Sequence, residues 1–317
     1  MNNLANHIMS KLPDLADISH FLSGGNQKAK NDELNKLREN ALGHMLLLDD
    51  EYFSDPTYGS HWKKISEKFR KAVSSLCPEP YDNVKIERKG GMTFNHDYEF
   101  TYFYCGSKVA DRKVEFKHNN TNVADLVQFL ELYDKDCKSK YKLCDVSYSE
   151  YYYENYLDGY IACDDQITAP KPDLATYLKH VHDIKYKHPF FKNLHDNKNR
   201  NKAAKKAVAD ESRREYLDLY VKIFNFEELT KKIRESQKDK VFLLWDCENF
   251  HTQVLDIDAI KITRVKNIND LFFDVEVENF AYDIRIRLNW GNSVGLANPR
   301  WKFSFTNKSE VPSQVQS

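Results

Sequence analysis

The clearest alternation of bulky and polar side chains lies near the middle of the chain. Residues 94–105 place Tyr and Phe at alternating positions, which is the pattern of a half-buried β-strand. Gly106 and Ser107 interrupt the alternation, and residues 112–117 resume it as a second short strand. Apolar residues then recur at helical spacing over residues 122–132. This stretch is therefore predicted to fold as strand, turn, strand and helix.

Helical patterns precede this central stretch. One helix is predicted over residues 31–48 and another over residues 61–76, where Trp62 and Phe69 belong to a single apolar stripe. We interpret residues 1–57 as a helical arm. We expect its helices to pack on the core rather than form a separate dimerisation or partner-binding module.

Strand patterns dominate the C-terminal part of the chain. Alternating segments separated by Asn, Asp and Gly lie at 241–245, 259–265, 272–277, 282–289 and 301–305. The tyrosine-rich segment 148–160 is expected to be a helix that packs its aromatic face on a sheet, with base stacking as the alternative. The whole pattern predicts a mixed α/β (α+β) fold, with a central mixed β-sheet flanked by helices. After the arm we expect a core at 58–183, a basic helical insertion at 184–240, a β-rich segment at 241–308 and a frayed tail at 309–317.

Composition narrows the class of protein. Hydrophobic residues make up 41% and charged residues 30%, which is typical of a folded chain and not of a disordered one. The net charge of -1 means that any nucleic-acid surface must arise from local segregation of charge. The six cysteines form no CxxC pair, so neither a zinc site nor a disulfide framework is indicated. Without a signal peptide or an apolar run of bilayer length, we expect an intracellular protein, in the cytoplasm or nucleus, with no membrane partner.

The central strands bring acidic side chains together. Side chains two residues apart in a strand share a face, so Asp97 is predicted to lie with Glu99, and Glu115 with Lys117. If the strands pair, three carboxylates and one ammonium converge. Like charges this close resist joint ionisation, and a divalent cation such as Mg²⁺ removes that cost. The alternative is that Glu115 and Lys117 form an ordinary exposed face of an edge strand.

This arrangement resembles the PD-(D/E)xK nuclease superfamily, the family of many type II restriction endonucleases and repair nucleases. Asn95-His96-Asp97 stands where the family has its Pro-Asp pair, and Glu115-Phe116-Lys117 matches the second half of the motif. The resemblance covers the central third of the chain. The C-terminal segment over residues 285–305 is also similar to a hairpin of some restriction-type endonucleases and viral relatives. The resemblance implies a restriction-endonuclease-like fold.

The resemblance also implies roles for individual residues. Asp97 and Glu115 would ligate one or two Mg²⁺ ions, for which Mn²⁺ can substitute, and the carbonyl of Phe116 is a further ligand candidate. Lys117 would orient the attacking water or offset charge on the phosphorus. Second-rank candidates are Glu99 on the same strand as Asp97, Glu67 on the preceding helix and Gln128 on the following one. For Glu67 we favour a solvated charge.

The expected substrate is double-stranded DNA, and the family analogy suggests a homodimer. Arg112 and Lys113 lie close enough to the turn to contact backbone phosphates. A basic region with few acids before Asp210 supplies further candidates for phosphate contacts, namely Lys198, Arg200, Lys202, Lys205 and Lys206. A charged, solvated insertion is the alternative for this region.

Three rival classes stay open. The chain could be a nuclease relative that has lost activity and only binds DNA, a structural or virion-associated protein, or a nuclease acting on RNA. Two other acidic groups are less favoured as sites. For Asp246 and Glu248 beside His251 we favour a strand-connecting turn, and for Asp164 with Asp165 we favour a solvated loop.

Overall fold

The computed structural model describes residues 15–22, 28–89, 94–126, 128–182, 188–269, 271–290 and 298–308. The predicted tail at 309–317 lies outside these residues. The chain divides into two compact units: unit 1 comprises Met1–Leu126 and Gln237–Leu255, and unit 2 comprises Val127–Ser236 and Asp256–Ser317. Each unit has its own five-stranded sheet. The predicted mixed α/β class is confirmed, with N-terminal helices and a C-terminal antiparallel sheet.

In the described residues the helices are α1 (Ser19–Leu22), α2 (Lys28–His44), α3 (Asp50–Phe53), α4 (Gly59–Ser75), α5 (Asp134–Ser139), α6 (Tyr148–Asn155), α7 (Leu157–Ala162), α8 (Leu174–His182), α9 (Pro189–Asp196), α10 (Lys202–Tyr220) and α11 (Phe226–Gln237). The strands are β1 (Asn83–Arg88), β2 (Tyr98–Tyr104), β3 (Ser107–His118), β4 (Leu130–Tyr133), β5 (Lys240–Trp245), β6 (Phe250–Val254), β7 (Lys261–Asn269), β8 (Phe272–Glu278), β9 (Tyr282–Trp290) and β10 (Pro299–Asn307). None of these helices is long and apolar enough to cross a membrane.

The sheet of unit 1 has the order β1-β2-β3-β5-β6. Its neighbouring strands are antiparallel except β3 and β5, which run parallel. β2 and β3 are joined by the two-residue turn Cys105-Gly106, in which both residues have positive φ, at 49° and 76°. Two positive φ angles give a turn whose twist matches that of the strands, and Gly106 adopts such a conformation without steric cost. The predicted strand, turn and strand are therefore confirmed.

Helix α4 covers one face of this sheet, as its apolar stripe predicted. Trp62 and Phe69 are fully buried in the same core as Val114 and Phe116 of β3. The N-terminal helices also belong to this core, in which Leu42, Met45 and Tyr52 are buried. Residues of the predicted arm thus pack on the core, as we favoured from the sequence.

Unit 2 contains the antiparallel sheet β4-β10-β9-β8-β7. The last four strand segments predicted from the sequence correspond to β7–β10, and the first to β5 of unit 1. The tyrosine-rich segment is helical, and Tyr148, Tyr152 and Tyr160 are fully buried. A buried aromatic face is the structural role we favoured over base stacking.

The helix predicted over residues 122–132 is wrong. Residues Val123–Asp125 form only one 3₁₀ turn, and Leu130–Tyr133 is strand β4. Asn122 caps the short turn by accepting a hydrogen bond from Ala124 N–H, and Leu126 is extended. β4 then pairs with β10, with Leu132 opposite Trp301. This long-range pairing overrides the local helical spacing, because the extended strand buries Leu132 in a sheet.

Candidate active site

β3 positions two of the predicted catalytic side chains by simple alternation. Val114 and Phe116 point into the core of unit 1, so Glu115 and Lys117 lie on the opposite face. The Lys117 Nζ lies 2.6 Å from Glu115 Oε1. The side chain of Glu115 is 13% exposed and that of Lys117 is 31% exposed. The lysine can therefore reach a ligand, whereas the carboxylate is largely enclosed.

Asp97 is held against β3 by two hydrogen bonds to that strand. It lies one residue before β2, and its N–H donates to the Val114 carbonyl at 3.0 Å. Its Oδ2 accepts a hydrogen bond from Phe116 N–H at 2.8 Å. Because the two polar groups of a strand residue point to the same side, the Phe116 carbonyl also faces the Asp97 side. Asp97, Glu115, Phe116 and Lys117 are therefore brought together.

Lys240 is a member of this cluster that the sequence did not indicate. It is the first residue of β5, the parallel neighbour of β3, and its side chain is only 2% exposed. Its Nζ lies 3.3 Å from Glu115 Oε2. Each oxygen of the Glu115 carboxylate therefore has an ammonium partner, Lys117 on one side and Lys240 on the other.

The charges of the cluster shift one another's pKa. Burial, reinforced by the charge of Glu115, raises the pKa of Asp97 to about 6, although Lys117 and the Phe116 N–H act in the opposite direction. Burial alone would raise the pKa of Glu115, but Lys117 and Lys240 outweigh it and hold that pKa below its usual value. Burial lowers the pKa of Lys240 despite the attraction of Glu115.

Two further residues of unit 1 adjoin the cluster. His96 is buried, and its Nε2 has no hydrogen-bond partner among the described residues. Burial lowers the pKa of His96, and the charge of Lys240 adds to this effect. The backbone carbonyl of Glu39 in α2 accepts a hydrogen bond from the Tyr98 hydroxyl at 2.6 Å. The negative charge of Glu39 acts to raise the pKa of both Asp97 and Lys117. The N-terminal helices therefore contribute to the electrostatics of the cluster.

The cluster contains oxygen donors of the type that a hard divalent cation prefers. Asp97 and Glu115 supply carboxylate oxygens, and the Phe116 carbonyl is a third oxygen on the same side of β3. The raised pKa of Asp97 reflects burial beside a second negative charge, a cost that a cation would relieve. No group of three His, Cys, Asp or Glu side chains suited to a metal occurs among the residues that the structure describes.

The second-rank candidates do not join the cluster. Glu99 lies on β2 opposite Lys113, and its Oε2 is 3.1 Å from the Nζ of Lys89. Glu67 is exposed on α4, the helix that packs on the other face of the sheet. Gln128 belongs to unit 2 and lies between a 3₁₀ turn and β4 instead of in a helix.

A cleft of about 720 Å³ in unit 1 is lined by apolar residues and by charged residues that include Glu99, Arg112 and Lys113. Lys113 is exposed and is two residues from Glu115, so it can contact a ligand in this cleft. The prediction for Arg112 needs correction, because this residue lies inside β3 and not near the turn. Its guanidinium donates to the carbonyls of Leu76 at 2.8 Å and Asp111 at 2.7 Å, which leaves it less free for phosphate.

The predicted basic contacts of unit 2 have mixed outcomes. Lys205 is wrong as a DNA contact, because its side chain is fully buried and its Nζ lies 2.7 Å from Asp164 Oδ2. Arg200 also pairs with Asp164, at 3.2 Å, and Lys206 pairs with Asp210. Four of the predicted cations are exposed or partly exposed and can still contact DNA, namely Lys198, Arg200, Lys202 and Lys206. Asp164 lies in a loop as predicted, but it is buried and paired, so the expected solvation is wrong for this residue. Asp165 is exposed, as expected.

The remaining acidic group behaves as the strand-connecting turn that we favoured. Asp246 Oδ1 accepts hydrogen bonds from the N–H groups of Glu248 and Asn249, at 2.8 and 2.6 Å. Its Oδ2 lies 2.6 Å from His251 Nε2. These bonds close the turn between β5 and β6.

Sequence reasoning missed Lys240 because 125 residues separate it from its partner Glu115. The available signal was a charged residue at the head of the apolar run 241–245, which by itself predicts only a strand boundary. Glu39 had no signal beyond its place in a helix. Comparisons of the chain with protein-family models, with curated proteins and with solved structures find no match.

Proposed function

We propose that this chain is a metal-dependent endonuclease that hydrolyses DNA phosphodiester bonds. The observation that carries the proposal is the cluster on β3, in which Lys117 Nζ lies 2.6 Å from Glu115 while Asp97 is bound to the intervening Phe116 N–H at 2.8 Å. Two acids that can hold a metal ion and a partly exposed lysine that can offset charge on the phosphate are together suited to metal-dependent phosphodiester hydrolysis. The restriction-endonuclease-like fold is part of the same proposal.

In this proposal Asp97, Glu115 and the Phe116 carbonyl hold Mg²⁺. When bound, this ion would polarise the scissile phosphate and lower the pKa of a bound water. Lys117 has a side chain exposed enough to meet the substrate, so its ammonium orients the attacking water or offsets charge on the phosphorus. Lys113, at the neighbouring cleft, contacts backbone phosphate.

A second candidate is a nuclease-like protein that binds DNA without cutting it, or that serves a structural role. Lys240 favours it, because both oxygens of Glu115 already have ammonium partners. A metal ion that binds Glu115 must then displace one of these lysines or share a carboxylate oxygen with it. The two candidates differ in one measurable property, which is bond cleavage.

The test is incubation of the full chain with supercoiled plasmid, single-stranded DNA and RNA, with Mg²⁺, with Mn²⁺ and with EDTA. The variant Glu115→Gln keeps the shape of the side chain and removes its charge. Glu131→Gln is the matched control, because Glu131 is also a partly buried strand glutamate with two cationic partners, Arg300 and Lys302.

The proposal predicts metal-dependent nicking or linearisation of plasmid by the wild type and Glu131→Gln, and none by Glu115→Gln. Faster cleavage of RNA than of DNA would change the substrate class. An absence of cleavage by the folded protein, together with salt-sensitive DNA affinity, would establish the binding alternative instead. An absence of both would leave the structural role.

A further inference from the structure

We infer that Lys240 is a positioning residue that restricts the candidate site to a single divalent cation. This inference rests on the proposed function and narrows it, because the carboxylates alone are compatible with one ion or two. It assigns to Lys240 a role that neither the motif nor its spacing indicates.

The first step is the position of the ammonium group. Lys240 Nζ lies 3.3 Å from Glu115 Oε2, while Lys117 Nζ lies 2.6 Å from Oε1. The Glu115 carboxylate is thereby held from two sides, by its own strand and by the parallel strand β5. Removing Lys240 would free one oxygen and loosen the orientation of the carboxylate.

The second step separates the two lysines by their exposure. The Lys117 side chain is 31% exposed, so it can move toward a substrate. The Lys240 side chain is 2% exposed, so it cannot reach the substrate and acts only through Glu115. Lys240 is therefore a fixed charge of the site and not a group that takes part in bond cleavage.

The third step is the balance of charge. The negative charges of Asp97 and Glu115 are matched by the positive charges of Lys117 and Lys240. One divalent ion then gives an excess positive charge that substrate phosphates can offset. A second ion would meet strong like-charge repulsion within a few ångströms. In the part of the chain that the structure describes, these two acids also belong to no group of three His, Cys, Asp or Glu side chains suited to a metal.

The experiment counts bound ions directly. Mn²⁺ is titrated into the full chain and followed by electron paramagnetic resonance, without DNA, so the readout does not depend on activity. The variants are Asp97→Asn, Lys240→Met and Lys240→Arg. The control is Lys302→Met, which removes a strand lysine paired with Glu131 at 3.3 Å in unit 2.

The expected result is one Mn²⁺ that the wild type and Lys302→Met bind and Asp97→Asn loses. Lys240→Met should bind Mn²⁺ about tenfold more tightly or take up a second ion, because a nearby like charge is gone. Lys240→Arg keeps that charge and should bind a single ion as the wild type does. A purely structural lysine would not change metal affinity in this way.

Three outcomes would overturn the inference. Two ions in the wild type that Asp97→Asn removes would refute it while leaving the nuclease proposal intact. Unchanged affinity and stoichiometry in folded Lys240→Met would assign Lys240 to the core alone. No bound Mn²⁺ and no plasmid cleavage would refute the proposed function and the inference together. If Lys240→Met does not fold, two ions bound by the wild type would still refute the inference.

Discussion

Asp97 Oδ2 accepts a hydrogen bond from the backbone N–H of Phe116 at 2.8 Å. This single bond fixes the position of an acidic side chain that lies outside regular structure against the strand that carries Glu115 and Lys117. The same contact places Asp97 beside a second carboxylate in a largely buried environment. The resulting electrostatic strain is a cost to stability and, in our account, the basis of cation binding.

Asp97→Asn is expected to abolish cleavage and to stabilise the protein. The pKa of Asp97 is about 6 in the folded chain against an ordinary value of 3.8, so the native state binds more protons between these pH values. The wild type therefore loses stability as pH rises through this window, by roughly 1–3 kcal/mol, while the Asn variant does not.

Thermal unfolding of both proteins at pH 4 and pH 8 measures this difference. The variant should be more stable than the wild type at pH 8, and the gap should shrink or vanish at pH 4. Equal pH dependence in the two proteins would contradict the raised pKa and the close approach of the two acids.

Lys205→Ala is expected to destabilise unit 2 without weakening binding to DNA. The buried Nζ of Lys205 donates to Asp164 Oδ2 at 2.7 Å and to the partly buried Asn197 carbonyl at 2.7 Å. Removing one partner of a buried ion pair leaves the other charge uncompensated. The lowest unfolding temperature should fall by about 5 °C or more.

Lys202→Ala is the comparison for this prediction, because Lys202 is exposed on the first turn of the same helix. It should leave the unfolding temperature within about 1 °C of the wild type. If Lys202 contacts DNA, Lys202→Ala lowers both the affinity for DNA and the salt dependence of binding, and Lys205→Ala changes neither. The opposite pattern, with DNA affinity lost in Lys205→Ala alone and no change in stability, would refute the buried assignment.

Gly106→Ala is expected to destabilise unit 1 by about 1 kcal/mol, because Gly106 has φ of +76° in the turn that sets the register of β2 and β3. The control is Gly43→Ala in α2, where a Cβ meets no atom within 4 Å. That substitution should stabilise the same unit by up to about 1 kcal/mol, since alanine favours a helix. Urea unfolding distinguishes the two, and a loss of stability in both would contradict the turn argument.

The sequence predicted the local elements of the site because its strands are amphipathic over a short stretch. Alternation was sufficient to place Glu115 and Lys117 on one face, and the Gly106 turn was sufficient to bring Asp97 beside them. The helix at 122–132 failed because β4 is stabilised by pairing with β10, about 170 residues away, and no local pattern reports such a partner.

The same limit explains the charged residues that were misplaced or missed. Lys240 meets Glu115 only because β5 adds to the sheet in parallel, and Lys205 is buried only because Asp164 comes from a distant helix end. From sequence, clustered lysines indicate a basic surface. Whether distant acidic residues pair with these lysines depends on tertiary packing, and the local spacing of residues does not report it.

The most direct test of the account is plasmid nicking by Lys117→Met beside Lys302→Met. The two lysines are matched, since each lies on a strand, is paired with a glutamate and is close to 30% exposed, at 31% and 29%. With Mg²⁺, the wild type and Lys302→Met should nick the plasmid at the same rate, and Lys117→Met should be slower by about 100-fold or more. Equal rates in all three proteins, or cleavage that persists in EDTA, would contradict the assignment of the active site.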